Sequence, residues 1–140
     1  MRILGIDLGI VRIGVAITDQ SAIFASPLTV IQAGGIKKNA EKILNLANKY
    51  NCELIVFGMP YELDGSKGKI ARKVEKLIVE LKKSFKGKID TIDERFTSVE
   101  AERALIDGDT SRAKRKQKID KVAAALILQS YIDFHGGNFE

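Results

Sequence analysis

Apolar residues change their spacing several times along the chain, and each change predicts an element. Residues 3–8, Ile3-Leu4-Gly5-Ile6-Asp7-Leu8, form a short apolar run interrupted by one acid near its end, which predicts a buried strand. Gly9 supplies a turn, and the β-branched run 12–18 predicts a second strand, paired with the first as a hairpin. A third strand is expected over 25–31, where Pro27 points to an edge position or a bulge. Ile36, Ala40, Ile43, Leu44, Ala47 and Tyr50 then recur at spacings of three and four, which is the signature of an amphipathic helix.

The period changes again at Glu53. Residues 53–58 (ELIVFG) read as a central buried strand, stopped by Gly58-Met59-Pro60, and 61–68 as a polar loop. Ile70, Val74, Leu77, Ile78 and Leu81 predict a second helix with a lysine-rich outer face, and 88–93 a fifth strand. Thr97-x-x-Glu100 is a capping box, expected to open a short helix through Ile106 that Gly108 ends. A polar, basic stretch at 110–118 precedes a largely buried final helix, opened by Asp120 and carrying Val122, Ala123, Leu126 and Ile127. Three meandering strands followed by αβ units predict a single α/β domain over 1–140: a mixed sheet with helices on both faces.

Composition narrows the chemistry. With 45% hydrophobic and 29% charged residues, the 140-residue chain is that of a globular domain, and its net charge of +5 favours an anionic partner. One cysteine, Cys52, excludes an intrachain disulfide and a cysteine-built zinc cluster, and fits a reducing cytoplasm. One histidine, His135, excludes a histidine-rich metal site. The amino terminus is too short and too charged in its apolar run for a signal peptide, and no window is long enough to span a membrane, so no membrane partner is expected.

The acids sit where elements end. Asp7 closes an apolar strand, where a carboxylate is costly unless paired, hydrogen-bonded or metal-bound. Glu94 directly follows the fifth strand, and Asp120 opens the last helix. If strands one, four and five run parallel, the carboxyl ends of strands one and five share the edge where open α/β sheets bind ligands. Three carboxylates gathered there would suit magnesium or manganese. Two such ions activate a water and stabilise a leaving oxygen in phosphodiester hydrolysis. Taken singly, each acid has a plainer role: a strand-end turn for Asp7, a surface ion pair with Arg95 for Glu94, a helix N-cap for Asp120.

Other motifs carry the same double reading. Gly5-x-Asp7-x-Gly9 with Arg12-x-Gly14 lets either a phosphate or a backbone approach closely, or is plain hairpin chemistry; Gly58-x-Pro60 and Gly65 form either a phosphate-facing loop or a strand terminator with a surface turn. Residues 112–118 hold five basic side chains in seven positions, among them Lys114, Arg115, Lys116 and Lys118. Beside a proposed catalytic acid, such a run would grip backbone phosphates without reading sequence. Tyr61 is the only aromatic residue assigned to a candidate site loop, which argues against a dedicated stacking platform. A nucleophilic pair of Cys52 with His135 is not expected.

Taken together, Gly5-Ile6-Asp7-Leu8-Gly9 with Arg12-Ile13-Gly14-Val15-Ala16, Gly58-Met59-Pro60 with Asp64-Gly65-Ser66, Asp93-Glu94-Arg95-Phe96-Thr97-Ser98, and Ile119-Asp120-x-x-Ala123-Ala124 resemble the YqgF/RuvX family. Its members are described as Holliday junction resolvases and as nucleases maturing the precursor of small-subunit ribosomal RNA. The resemblance covers nearly the whole chain in order. It implies a ribonuclease-H-like fold with five strands ordered 3-2-1-4-5, and metal-dependent hydrolysis by Asp7, Glu94 and Asp120 with two Mg²⁺ or Mn²⁺ ions. Asp93 also matches the motif, so either neighbour could face the metal. Arg12 and Arg95 match motif arginines placed to bind phosphate. Ile10 and Val11 stand where the family usually has threonine and lysine.

The leading expectation is therefore a metal-dependent endonuclease on structured nucleic acid, either precursor rRNA or branched DNA, working as a monomer or homodimer. A non-catalytic RNA-binding ribosome-assembly factor is the alternative. A third possibility, an actin-like sugar kinase or ATPase, would need a second lobe that this length does not hold.

Overall fold

The computed structural model describes residues 1–97 and 112–139, with side chains in the last helix described from residue 120. The elements are β1 (Arg2–Leu8), β2 (Arg12–Thr18), β3 (Ala25–Gln32), α1 (Ile36–Lys49), β4 (Cys52–Met59), α2 (Lys69–Lys82), β5 (Lys88–Asp93), a 3₁₀ turn (Glu94–Phe96) and α3 (Arg112–His135). The sheet order is β3-β2-β1-β4-β5. β1 is antiparallel to β2 and parallel to β4, and β4 is parallel to β5. The carboxyl ends of β1, β4 and β5 therefore share one edge.

Side-chain alternation sorts the strands into two faces. Leu4, Ile6, Ile13, Val15, Ile55 and Phe57 point to one side and are fully buried against Ile43 of α1 and Val74 and Leu77 of α2. Ile3, Ala16, Leu54 and Val56 point to the other, against Ala123, Ala124, Ile127 and Leu128 of α3. Asp7 falls on the α3 face by the same alternation. Pro27 sits on the edge strand and beside a register shift, because Val15 pairs with Thr29 and Ala16 with Pro27. A residue without an N–H is tolerated at both kinds of position.

Two expectations change. The basic stretch 112–118 is not a lead-in to the last helix: α3 already begins at Arg112. The apolar spacing by which the helix is read begins only at Val122, ten residues after its first turn opens. Asp120 accordingly lies inside the helix and is not its N-cap. The strand through residues 53–58 runs one residue further at each end, so Gly58 belongs to β4 and does not terminate it. The expected capping box and helix at 97–106 fall mostly outside the described residues.

Candidate active site

Asp7 is 7% exposed, one of the few polar side chains in the core. It lies on the α3 face near the carboxyl end of a central strand, flanked by β2 on one side and β4 on the other. Both neighbours present a glycine to it. Gly14 is its direct partner across the antiparallel ladder. On the parallel side, Ile6 pairs with Phe57, so Asp7 and Gly58 come next along their strands.

Each glycine leaves room for something carrying an acid. A Cβ on Gly58 would lie 2.7 Å from Glu94 Oε1 and 2.6 Å from Ile127 Cδ1. The Glu94 carboxylate thus rests over β4, one strand spacing (about 4.8 Å) from β1. A Cβ on Gly14 would collide with the backbone carbonyl oxygen of Asp120. Helix α3 therefore presses its backbone onto β2 at that point, where any side chain would hold it off. Of the two readings open for the Arg12-x-Gly14 glycine, close approach applies, and what approaches is protein backbone.

Asp120 is tied down. Arg12 Nε donates to Asp120 Oδ2 at 2.8 Å, and the two side chains are 27% and 22% exposed. Asp7, Glu94 and Asp120 thus lie at one sheet edge, on one face, with Asp7 in the middle. Their oxygen donors have the chemistry a hard divalent cation takes. As placed, among the described residues no three His, Cys, Asp or Glu side chains form a group that could hold a metal ion.

Asp93 and Arg95 have a different arrangement from Glu94 between them. Arg95 donates from Nε to Asp93 Oδ1 and Oδ2 at 3.1 and 3.0 Å, and from its Nη2 to Oδ2 at 2.7 Å. The Arg95 backbone N–H donates to Asp93 Oδ1 at 2.9 Å. The guanidinium carbon also lies 5.5 Å from the Tyr61 ring centre and 5.9 Å from that of Phe96. The Arg95 side chain holds the Asp93 carboxyl below its usual range. So the neighbour that rests on the α3 face is Glu94, while Asp93 is committed to an arginine.

The remaining candidates divide. Lys114, Arg115, Lys116 and Lys118 lie in the first turns of α3, and their side chains fall outside the described residues. Ile10 and Val11 are 67% and 54% exposed at the tip of the β1–β2 hairpin. Phe96, two residues beyond Glu94, is 74% exposed, an aromatic side chain at this edge that Tyr61 had overshadowed. Its place directly after the Asp-Glu-Arg string was the signal available. Cys52 is buried, and burial pushes its thiol up to about 11, which disfavours the thiolate at neutral pH.

Comparisons with known proteins show which family the chain falls in. The RuvX family, described as Holliday junction resolvases, matches residues 1–134. The chain belongs to the RuvX family. This RuvX-family chain is 48% identical over 133 residues to a protein of Endomicrobium trichonymphae named "Putative pre-16S rRNA nuclease", covering 94% of this chain and 95% of that one. A protein of the same name from Thermoanaerobacter pseudethanolicus is 46% identical over 134 residues, covering 95% and 96%. Among solved structures, Thermus thermophilus RuvC in complex with a Holliday junction substrate superposes with a TM-score of 0.57 at 16% identity, covering 98% of this chain and 97% of that one. Fowlpox virus resolvase in complex with Holliday junction DNA superposes at 0.55 and 15% identity, covering 96% and 98%. The fold is the ribonuclease-H-like fold of these resolvases.

Proposed function

We propose that this protein is a metal-dependent endonuclease that hydrolyses phosphodiester bonds in structured nucleic acid, with the precursor of small-subunit rRNA as its substrate. One observation carries the reading: Asp7 lies between the two glycines over which Glu94 and Asp120 come to the same sheet edge. Asp7 and Glu94 would hold Mg²⁺ or Mn²⁺, with Asp120 completing the ligand set. Bound there, the ions supply a water activated as nucleophile and charge to stabilise the leaving oxygen.

The chain's own residues do the rest. Arg12 orients Asp120 through Nε, which takes one of the five N–H donors of its guanidinium. Its other donors take no bond among the described residues and would serve a backbone phosphate at the mouth of the site. Lys114, Arg115, Lys116 and Lys118 precede Asp120 in the chain, and such a basic run would add a grip on backbone phosphates that reads no sequence. Precursor rRNA is favoured over branched DNA because the relatives above 40% identity carry the rRNA name, whereas the structures holding junction DNA are 15–16% identical.

The test is cleavage of precursor rRNA and of a four-way DNA junction, with and without Mg²⁺ or Mn²⁺, by the protein and by Asp7→Asn. Metal-dependent cutting of the RNA that the variant loses, with its fold intact by circular dichroism, is the expected result. A second reading, an RNA-binding assembly factor without catalysis, draws on Arg12 holding Asp120 and on the absence of a three-acid metal group among the described residues. Tight RNA binding with no cleavage under any metal would favour it.

A further inference from the structure

The Asp-Glu-Arg string places three charged groups in a row, and the strand before it decides where each one points. Asp90 turns to the α3 face, where its Oδ2 accepts a 2.7 Å bond from Tyr131 Oη, and Ile92 packs against the α3 cluster. Alternation then sends Asp93 to the opposite side of β5. There it meets Arg95, which bends back two residues to embrace it through side chain and backbone. The bond from Arg95 N to Asp93 Oδ1 caps the 3₁₀ turn. At the other end of that turn, Thr97 donates to the Glu94 carbonyl from N at 3.0 Å and from Oγ1 at 2.8 Å. The backbone of Glu94 is thus pinned on both sides, and its carboxylate is left over Gly58.

Arg95 also reaches loop 60–68. Its Nη1 lies 3.5 Å from the Leu63 carbonyl oxygen and its guanidinium packs beside the Tyr61 ring. That loop is stiffened independently by the Tyr61–Lys67 bridge and by Ser66 bonding to Asp64 from N and Oγ. An arginine placed to bind phosphate would leave its fork open to the substrate. This one spends it on Asp93.

We propose that Arg95 and Asp93 are positioning residues, a clamp that sets the direction of the Glu94 carboxylate, and that Arg95 is not a phosphate contact. The proposal rests on the reading of Glu94 as a metal ligand. Partners of metal ligands typically cost 10–100-fold in metal affinity when removed, and the same range is expected here. A bidentate, ring-flanked guanidinium is not replaced by an ammonium, so Arg95→Lys should fail to rescue.

The test measures Mn²⁺ binding by electron paramagnetic resonance for the wild type, Glu94→Gln, Asp93→Ala, Arg95→Ala and Arg95→Lys. Each variant is first checked for an unchanged far-ultraviolet spectrum and cooperative melting. RNA affinity is measured in parallel, without metal, as a function of salt. The expected result is Mn²⁺ binding weakened roughly 10–100-fold in all four variants, with RNA affinity and its salt slope unchanged. An Arg95→Ala variant with normal Mn²⁺ binding and a salt slope reduced by about one would make Arg95 a phosphate contact and overturn the proposal. So would an Arg95→Lys variant with wild-type Mn²⁺ binding. If Glu94→Gln alone binds Mn²⁺ normally, the metal reading of Glu94 fails and the clamp's role fails with it. If Glu94→Gln weakens binding while the Asp93 and Arg95 variants do not, only the clamp fails.

Discussion

Arg12 on β2 and Asp120 on α3, 108 residues apart in sequence, meet in a 2.8 Å hydrogen-bonded ion pair directly over the point where the helix backbone touches the sheet. The pair is partly shielded, so it is worth more than a fully exposed bridge and less than a buried one. A double-mutant cycle with Arg12→Gln and Asp120→Asn, read by urea unfolding, should return a coupling energy of about 1 kcal/mol. A coupling indistinguishable from zero would mean that the pair does not tie α3 to β2.

The contact beneath that pair is less forgiving. A methyl group on Gly14 would occupy the space of the Asp120 carbonyl oxygen, and backbone cannot swing aside as a side chain can. Gly14→Ala should cost about 3 kcal/mol, the upper part of the usual overpacking range, because α3 must lift from β2. Gly34→Ala is the control: the nearest atom to that Cβ lies 3.7 Å away, an ordinary contact, and the change should stay within about 0.5 kcal/mol. Equal costs at the two positions would refute the close-contact account.

Tyr131 is 3% exposed and donates to Asp90 at 2.7 Å, joining the far half of α3 to β5. Burial, and then this bond, push its phenol above the ordinary tyrosine value, so the donor stays protonated throughout the neutral range. Tyr131→Phe should lower stability by about 1 kcal/mol while leaving RNA cleavage intact, since the bond lies away from the acid edge. A larger loss of activity than of stability would contradict this division.

Cys52 supplies a pH dependence whose sign is fixed by burial. Its thiol is held near 11 in the folded protein, above the ordinary value, because the thiolate would be desolvated. The folded state then binds a proton that the unfolded chain releases first. Its contribution is complete below the ordinary thiol range and is lost as pH climbs toward about 11. The stability difference between wild type and Cys52→Ala should shrink across that window. At pH 8 an aromatic disulfide reagent should label the thiol only as fast as the protein unfolds; rapid labelling of the native state would rule the burial argument out.

Much of this molecule is legible in one dimension. Period-two and period-3.6 patterns mark all five strands, both flanking helices and the buried half of α3, because burial on one or two faces leaves its trace in residue order. The positions of Asp7, Glu94 and Asp120 stand out for the same reason: a carboxylate among apolar neighbours, or at the end of a strand, is costly to keep without a purpose. Where α3 begins was less visible, since its first turns carry basic residues with no apolar stripe to count.

Sequence alone determined the five strands, α1, α2 and the buried half of α3, the strand order through the family resemblance, and which acids reach the carboxyl edge of the sheet. Those properties depend on local periodicity and on chain direction, which residue order encodes directly. Only the tertiary structure decided which of Asp93 and Glu94 rests on the helical face, that Arg95 closes on Asp93, and that Arg12 holds Asp120. It also decided that Gly14 and Gly58 serve as seats for a helix backbone and a carboxylate. Each of these depends on the distance between groups brought together by packing, to within a fraction of the size of one methyl group, and no spacing along the chain carries that information.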